Sequence, residues 1–167
     1  MSRTTIRNAI IQKLYAHTSK PIIQGNQNQD KPAYPFLAYN ITSPYIKGLG
    51  QSVKEVEVIE IEEVDNIRET NTDQSQFVIS FTAYDKDMMV AVDLAILARN
   101  YFLSQGNIDL PKIDVAIIEV GNIESRDTLI VDDYERRQGF DVRFRLVHKS
   151  TYTYETIEQV NINYEEE

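Results

Sequence analysis

The stretch that decides the fold class is Arg136-Arg137-Gln138-Gly139-Phe140-Asp141-Val142-Arg143-Phe144-Arg145-Leu146-Val147. From Phe140 to Leu146 every second residue is apolar, and the residues between them are charged. Side chains of a strand alternate between its two faces, so this pattern predicts a strand with one face buried and one in water. Such a half-buried strand is typical of an antiparallel sheet.

Further strands are predicted both before and after this stretch in the sequence. The segment Gln76–Tyr84 shows the same alternation. The almost continuous apolar run Ile113–Val120 is typical of a central strand. Other runs rich in β-branched and aromatic residues lie at Tyr34–Ile41, Val53–Val64 and Ile157–Ile162.

Two segments interrupt the predicted strands. Pro44–Ser52 breaks the strand pattern, and Asp65–Asp73 is polar and turn-like. Within Val53–Val64 the apolar phase slips by one residue between Val58 and Ile59. Because such a slip moves the side chains to the other face, the sequence predicts a bulge or two short strands there.

A first helix is predicted near the N-terminus, with Ser2 or Thr4 as its cap. We expect it to end near residues 17–19, before Pro21. Its apolar stripe has a spacing of four residues through Ile6, Ile10 and Leu14, and Ile11 and Tyr15 widen it.

A second helix is predicted after Asp85 or Asp87, either of which can cap it. Gly106 is expected to be the glycine that ends it. Its predicted buried stripe consists of Val90, Leu94, Leu97 and Tyr101.

This order of elements predicts an α+β fold. Consecutive βαβ units are absent, so a doubly wound parallel sheet is not expected. We predict a mainly antiparallel sheet with two helices packed on one face, as a single domain over residues 1–167. Within it, residues 45–70 are predicted to project as a loop or β arm, and residues 154–167 form an acidic C-terminal tail.

The composition restricts the possible chemistry. The 167 residues include no cysteine, which excludes disulfides, thiolate catalysis and Cys-based zinc sites. Neither a signal peptide nor an apolar run long enough to cross a bilayer is recognised, so no membrane association is expected.

Charge is unevenly distributed along the chain. Residues 1–50 have a net charge of +5, and residues 51–167 have a net charge of −14. A broad DNA-binding surface needs clustered Lys and Arg, so none is expected. The charge fits either an acidic soluble protein or a surface that lets DNA pass without binding it.

No catalytic, cofactor-binding or metal-ligating motif is recognised, and we predict that the protein is not an enzyme and needs no cofactor. His17 and His148 lack any ligand spacing. Gly48-Leu49-Gly50 is followed by an acidic stretch rather than by the helix of a phosphate-binding loop. The sequence has two pairs of adjacent acidic residues, Glu62-Glu63 and Asp132-Asp133. Within each pair the two carboxylates point to opposite faces of a strand, so neither pair binds a metal ion by itself.

Several patches, in their order and spacing, resemble the phage neck terminator proteins of long-tailed bacteriophages. The resemblance covers about Tyr34 to Leu146, and its most specific part is the run Tyr134-Glu135-Arg136-Arg137-Gln138-Gly139-Phe140-Asp141-Val142. The other patches are Tyr34–Tyr39, Phe77–Asp85, Asn100–Phe102 and Arg126-Asp127.

The resemblance implies a structural virion protein of the neck, a tail terminator assembled in the host bacterial cytoplasm. Members form a hexameric ring on the last ring of the tail tube, end tail polymerisation and present a surface to the head connector. The implied partners are therefore other copies of the chain, tail tube protein, the connector or stopper protein and, as a further candidate, sheath protein. DNA is expected to pass through without specific binding.

Two groups of residues are expected to serve this assembly. Acidic residues of the arm are predicted to face the lumen: Glu55, Glu57, Glu60, Glu62 and Glu63. Contacts to the next subunit or the tube are predicted for Tyr45, Ile46, Lys47, Leu49, Arg136, Arg137, Arg143 and Arg145.

Two other functions are consistent with the sequence. One is a head-completion or stopper protein that binds the portal or adaptor. Fold and charge do not distinguish such a protein from a terminator. The other is a small cytoplasmic ligand-binding protein or enzyme, with a polar pocket around Asp85, Asp87 and Asp93.

Overall fold

The structure is a computed structural model that describes residues 2–28, 30–48, 50, 52–61, 64–130 and 133–155. Its helices are α1 Arg3–Thr18, α2 Met88–Leu103 and the short α3 Gly106–Asp109, followed by a 3₁₀ turn at Pro111–Ile113. Its strands are β1 Ile22–Gln24, β2 Phe36–Lys47, β3 Val53–Ile61, β4 Val64–Asp85, β5 Val115–Val120, β6 Glu124–Ser125, β7 Thr128–Ile130 and β8 Asp133–Glu155.

The sheet is built around the two long strands β4 and β8, which lie side by side. Its strand order is β1-β2-β4-β8-β5, while β3 pairs with β4, and β6 and β7 pair with β8. Only β1 and β2 are parallel among the pairs whose register is described. β2 and β3 pair antiparallel with β4, and β5, β6 and β7 pair antiparallel with β8. The predicted α+β class with a mainly antiparallel sheet is confirmed.

The chain divides into two compact units. The first, here called the core unit, comprises Met1–Gly48 and Ser75–Val147. The second, here called the hairpin unit, comprises Leu49–Gln74 and His148–Glu167. Its described residues are β3, the first half of β4 and the end of β8.

The hydrophobic core of the core unit lies between the helices and the long strands. Phe81 of β4 contacts Phe102 of α2 and Phe140 of β8, with ring centroids 5.0 and 5.6 Å apart. Phe77 stacks on Phe144 at 5.1 Å, so the partner number on β8 rises as the number on β4 falls, as in an antiparallel pair. Leu14 of α1 belongs to the same core, which agrees with both helices packing on one face.

The first helix has the predicted boundaries. The Oγ of Ser2 accepts a hydrogen bond from the Thr5 N–H and caps the helix. At the other end Ser19 adopts the left-handed conformation, with φ of 53°. Ile6, Ile10 and Leu14 of the predicted stripe are buried, whereas Ile11 is half-buried and Tyr15 is 54% exposed.

The second helix differs from the prediction in two respects, although Asp87 caps it as expected. Val90 and Leu97 are 40% and 39% exposed, because the helix presents small alanines to the core and can approach the sheet closely. The buried residues of α2 are Ala91, Leu94, Ala95, Ala98, Tyr101 and Phe102. Gly106 is not the C-cap of α2 but the first residue of α3.

Several strand boundaries were predicted wrongly. β2 continues through Pro44 to Lys47, and register shifts between Ile41 and Ile46 accommodate the missing N–H of the proline. The segment Asp65–Asp73 is part of the continuous strand β4, because its backbone pairs with β3. Neither polar side chains nor low hydrophobicity prevents a strand whose backbone is paired with a neighbouring strand.

The predicted irregularity in β3 is also absent. Val53–Ile61 pairs with β4 in an unbroken register, and its side chains are exposed on both faces, so an apolar phase slip has no structural consequence. β5 is an edge strand of the sheet rather than a central one. The short parallel strand β1 was not predicted, and the predicted strand Ile157–Ile162 lies outside the described residues.

Candidate assembly surfaces

An aromatic stack lies on the sheet face that the helices do not cover. The ring of Phe36 lies between those of Tyr34 and Tyr84, at centroid distances of 5.5 and 4.8 Å. The Arg137 guanidinium carbon lies 5.2 Å from the centroid of the Tyr84 ring, a distance at which a cation is attracted to the ring face. Three of the patches that carry the resemblance therefore meet at one place.

A buried carboxylate stands at the end of this stack. Glu135 is only 4% exposed, and its Oε1 accepts hydrogen bonds from the Tyr34 hydroxyl at 2.6 Å and the Lys31 ammonium at 2.9 Å. Its Oε2 accepts two from Arg137, at 2.9 and 2.6 Å. Burial opposes ionisation, but these donors together outweigh it and hold the pKa of Glu135 below its ordinary value.

A second carboxylate fastens the neighbouring segment to β8. Asp127 accepts hydrogen bonds from the backbone N–H of Arg137 at 2.7 Å and from the Arg136 side chain at 3.1 Å. Burial again opposes ionisation, and the Arg137 and Arg136 donors lower the pKa of Asp127. Sequence periodicity did not reveal this network, because the alternation places Glu135 and Arg137 on the outer face of the strand.

These ion pairs involve two of the four arginines that were expected at a subunit interface. Arg136 and Arg137 are held within the core unit by Asp127 and Glu135. Arg143 lies 3.8 Å from Glu119 in an exposed pair, and Arg145 is exposed. The interface role remains a hypothesis. Arg143 and Arg145 are exposed, so they are better placed for it than Arg136 and Arg137.

The predicted contact segment at the end of β2 is exposed in part. Tyr45 is 61% exposed, and the Arg3 guanidinium carbon lies 5.2 Å from its ring centroid. Ile46 is half-buried and Lys47 is exposed, while Leu49 lies outside the described residues. Nearby, Ile6, Ile41, Phe77 and Leu146 line a small apolar pocket whose rim includes Arg3 and Arg7.

The acidic residues of β3 do not share one face. Glu55 and Glu57 lie on one face of the hairpin, whereas Glu60 lies on the other, because their sequence spacing changes parity. Glu62 and Glu63 lie outside the described residues. Only one face of this strand can line a lumen. Either Glu55 and Glu57 face the lumen together, or Glu60 does.

Two ion pairs connect β3 and β4, one on each face of the hairpin. Lys54 and Glu69 are 2.7 Å apart, and Arg68 and Glu57 are 3.1 Å apart. The same strand β3 also carries exposed apolar side chains. Val53, Val56, Val58 and Ile61 are 56%, 58%, 68% and 45% exposed.

The acidic residues at the start of α2 have structural roles. Asp87 accepts hydrogen bonds from the N–H groups of Met89 and Val90, and the Asp85 carboxylate accepts one from the Asp87 N–H. Asp93 is exposed. Among residues 2–155 that the structure describes, no group of three or more His, Asp or Glu is arranged to hold a metal ion. None of the described helices is long and apolar enough to cross a membrane.

Comparison with known proteins agrees with the resemblance seen in the sequence. The family model described as phage neck terminator protein matches residues 8–167, nearly the whole chain. A search of curated proteins found no significant match. Phage neck terminators are structural proteins of the tail and neck of the virion, with contacts to other tail and neck components. On the extent of this match, the chain belongs to the phage neck terminator family.

Proposed function

We propose that this protein is a tail terminator that forms a ring, of six copies by the family resemblance, on the last ring of the tail tube. The ring ends tube polymerisation and provides the surface that receives the head connector. DNA passes through its centre without specific binding.

The observation that carries this proposal is the exposed apolar surface of the hairpin unit. Along nine residues of β3, four apolar side chains are between 45% and 68% exposed in the single chain. Val56 and Val58 are neighbours on one face of the strand, and exposed apolar patches mark surfaces that another protein covers. In a structural neck protein, other copies of the chain and the tube end are the components available to cover them.

Charge supports the passage of DNA. The chain has a net charge of −9, and residues 51–167 contribute all of the excess negative charge. Carboxylates such as Glu55 and Glu57, which are exposed on one face of β3, repel the DNA phosphates when they line a channel.

A tube-assembly experiment tests the proposal. Purified tail tube protein is polymerised with and without this protein, tube lengths are measured by electron microscopy, and the mass of the free protein is measured by light scattering. We expect a ring on one end of each tube and tubes that stop growing once it is bound. Tubes of unchanged length with uncapped ends would contradict the proposal.

A further inference from the structure

The hairpin unit presents two strand edges that lack a described partner. It is a three-stranded sheet in which β4 lies between β3 and residues 148–155 of β8. Among the described residues, the other strands that pair with β8 do so between residues 133 and 146. Within the part of the chain that the structure describes, the outer edges of β3 and of residues 148–155 are therefore both open.

The β3 edge carries few of the features that normally prevent edge pairing. It pairs with β4 over nine residues without a register shift, and it contains neither proline nor glycine. Natural edge strands are usually short or interrupted by lysines, prolines or bulges, and β3 has only Lys54. A regular open edge of this length is a template for another strand.

The apolar side chains of the two edges lie on one face of this sheet and at the same level. Thr70 of β4 lies beside Thr151 of β8, with hydroxyl oxygens 3.5 Å apart. In an antiparallel pair Tyr152 then lies opposite Glu69, which pairs on its other side with Val56. By the same register, Tyr154 is in one row with Ile67 and its partner Val58.

Each of these edge side chains is mostly exposed in the single chain. Val56 and Val58 are 58% and 68% exposed, and Tyr152 and Tyr154 are 52% and 51% exposed. Aromatic and β-branched side chains that face each other on neighbouring strands stabilise a sheet. One edge therefore offers two valines, and the opposite edge offers two tyrosines in the matching rows.

We propose that the open edge of β3 pairs with residues 148–155 of β8 in the next copy of this chain, so that a continuous sheet runs around the ring. This inference rests on the proposed ring-forming function. β3 and β8 both run antiparallel to β4, so the new pair between copies is parallel. Val56 and Val58 of one copy then lie beside Tyr152 and Tyr154 of the next.

Charge favours this head-to-tail pairing over a twofold pairing of two β3 strands. Val53–Ile61 has a net charge of −2, so two β3 edges would bring like charges together. Residues 148–155 contain one lysine and one glutamate and have no net charge with neutral His148. A head-to-tail interface closes into a ring, whereas a twofold interface ends at a dimer.

Disulfide trapping tests the pairing on the full chain, which has no native cysteine. The variants combine Val58→Cys with Tyr152→Cys or with Tyr154→Cys, and they are oxidised on tail tube ends. We expect a ladder of covalent oligomers in denaturing gels with at least one combination. Val58→Cys alone should remain monomeric, and so should the matched control Ile96→Cys with Tyr154→Cys, in which the first cysteine is on the exposed face of α2.

The outcomes separate this inference from the proposed function. A ring seen by light scattering without a ladder would overturn the strand pairing and leave the terminator function intact. Covalent dimers of Val58→Cys alone would overturn it in favour of twofold pairing. If the protein neither forms a ring nor caps tubes, both proposals fail.

A second variant gives an independent readout. Val56→Lys with Val58→Lys places cations on exposed positions, so we expect an unchanged melting temperature and loss of the ring. A ring of unchanged mass in this variant would contradict the pairing. The control Tyr15→Lys, on the exposed side of α1, should leave the ring mass unchanged.

Discussion

The Arg126 guanidinium lies directly against the backbone of Gly139, where an added Cβ would come within 2.7 Å of Arg126 Nη1. In this position Arg126 donates hydrogen bonds to the Ser80 hydroxyl at 2.5 Å and to the Asp141 carboxylate at 3.1 Å. The guanidinium therefore connects β4 and β8 across the place where residue 139 would carry a side chain. The glycine in the most specific patch of the family resemblance is explained by this close approach.

Replacing Gly139 with alanine should destabilise the protein. The new methyl group displaces the Arg126 guanidinium from its partners, and overpacking of this kind costs about 1–3 kcal/mol. Equilibrium denaturation of Gly139→Ala measures the loss. In an Arg126→Ala background the same substitution should cost much less, and equal costs in both backgrounds would contradict the explanation.

Replacing Glu135 with glutamine should lower the free energy of unfolding by about 1–3 kcal/mol. The neutral amide cannot accept all the hydrogen bonds that Tyr34, Lys31 and Arg137 donate to the carboxylate. Glu119→Gln is the matched control, because the Glu119–Arg143 pair is exposed and such pairs contribute about 0–1 kcal/mol. Similar losses in the two variants would show that the Glu135 network has no special role.

Stability should fall on acidification because of the same carboxylate. The pKa of Glu135 is lower in the folded protein than its ordinary value of 4.5, so ionised Glu135 stabilises the fold. This contribution is complete well above pH 4.5, and it is lost as the pH falls through the ordinary value and then through the lower folded-state pKa. Melting temperatures measured between neutral and acidic pH test this dependence.

The pH dependence has a specific control. Glu135→Gln removes the titrating group, so its melting temperature should fall less on acidification than that of the wild type. Asp127 still titrates in this variant, and its lowered pKa leaves part of the slope. Parallel curves for the two proteins would assign the acid sensitivity to other carboxylates.

Replacing Tyr101 with phenylalanine should be neutral or stabilising. The Tyr101 hydroxyl is buried and has no hydrogen-bond partner among the described residues, and burial together with the charge of Asp109 raises its pKa to about 12. An unsatisfied buried polar group costs about 1–3 kcal/mol, which the substitution removes. Tyr39→Phe is the comparison, because the Tyr39 hydroxyl donates to Gln24 at 3.4 Å. A clear loss of stability in Tyr101→Phe would show that the hydroxyl has a partner.

Periodicity in the sequence predicted the elements that bury one face. The alternation around Phe140–Leu146 and the four-residue spacing from Ile6 to Leu14 correspond to β8 and α1, because burial on one side forces that pattern. The same reasoning failed for the irregularity expected within β3 and for Asp65–Asp73. β3 is exposed on both faces, which places no demand on the order of its polar and apolar residues. The backbone pairing that defines the hairpin leaves no trace in hydrophobicity.

The sequence by itself thus determined the α+β class, the two main helices, the core strands and the family to which the chain belongs. Only the tertiary structure decided that Glu135 is buried, that Arg136 and Arg137 have partners within the chain, and that the valines of β3 and the tyrosines of β8 lie in shared rows. The contacts of Glu135 with Lys31 and of Thr70 with Thr151 join residues 104 and 81 positions apart in the sequence. The partners of Arg136 and Arg137 are only 9 and 2 positions away. These relationships depend on strand register, which is set by backbone hydrogen bonds and packing rather than by any local pattern of residues.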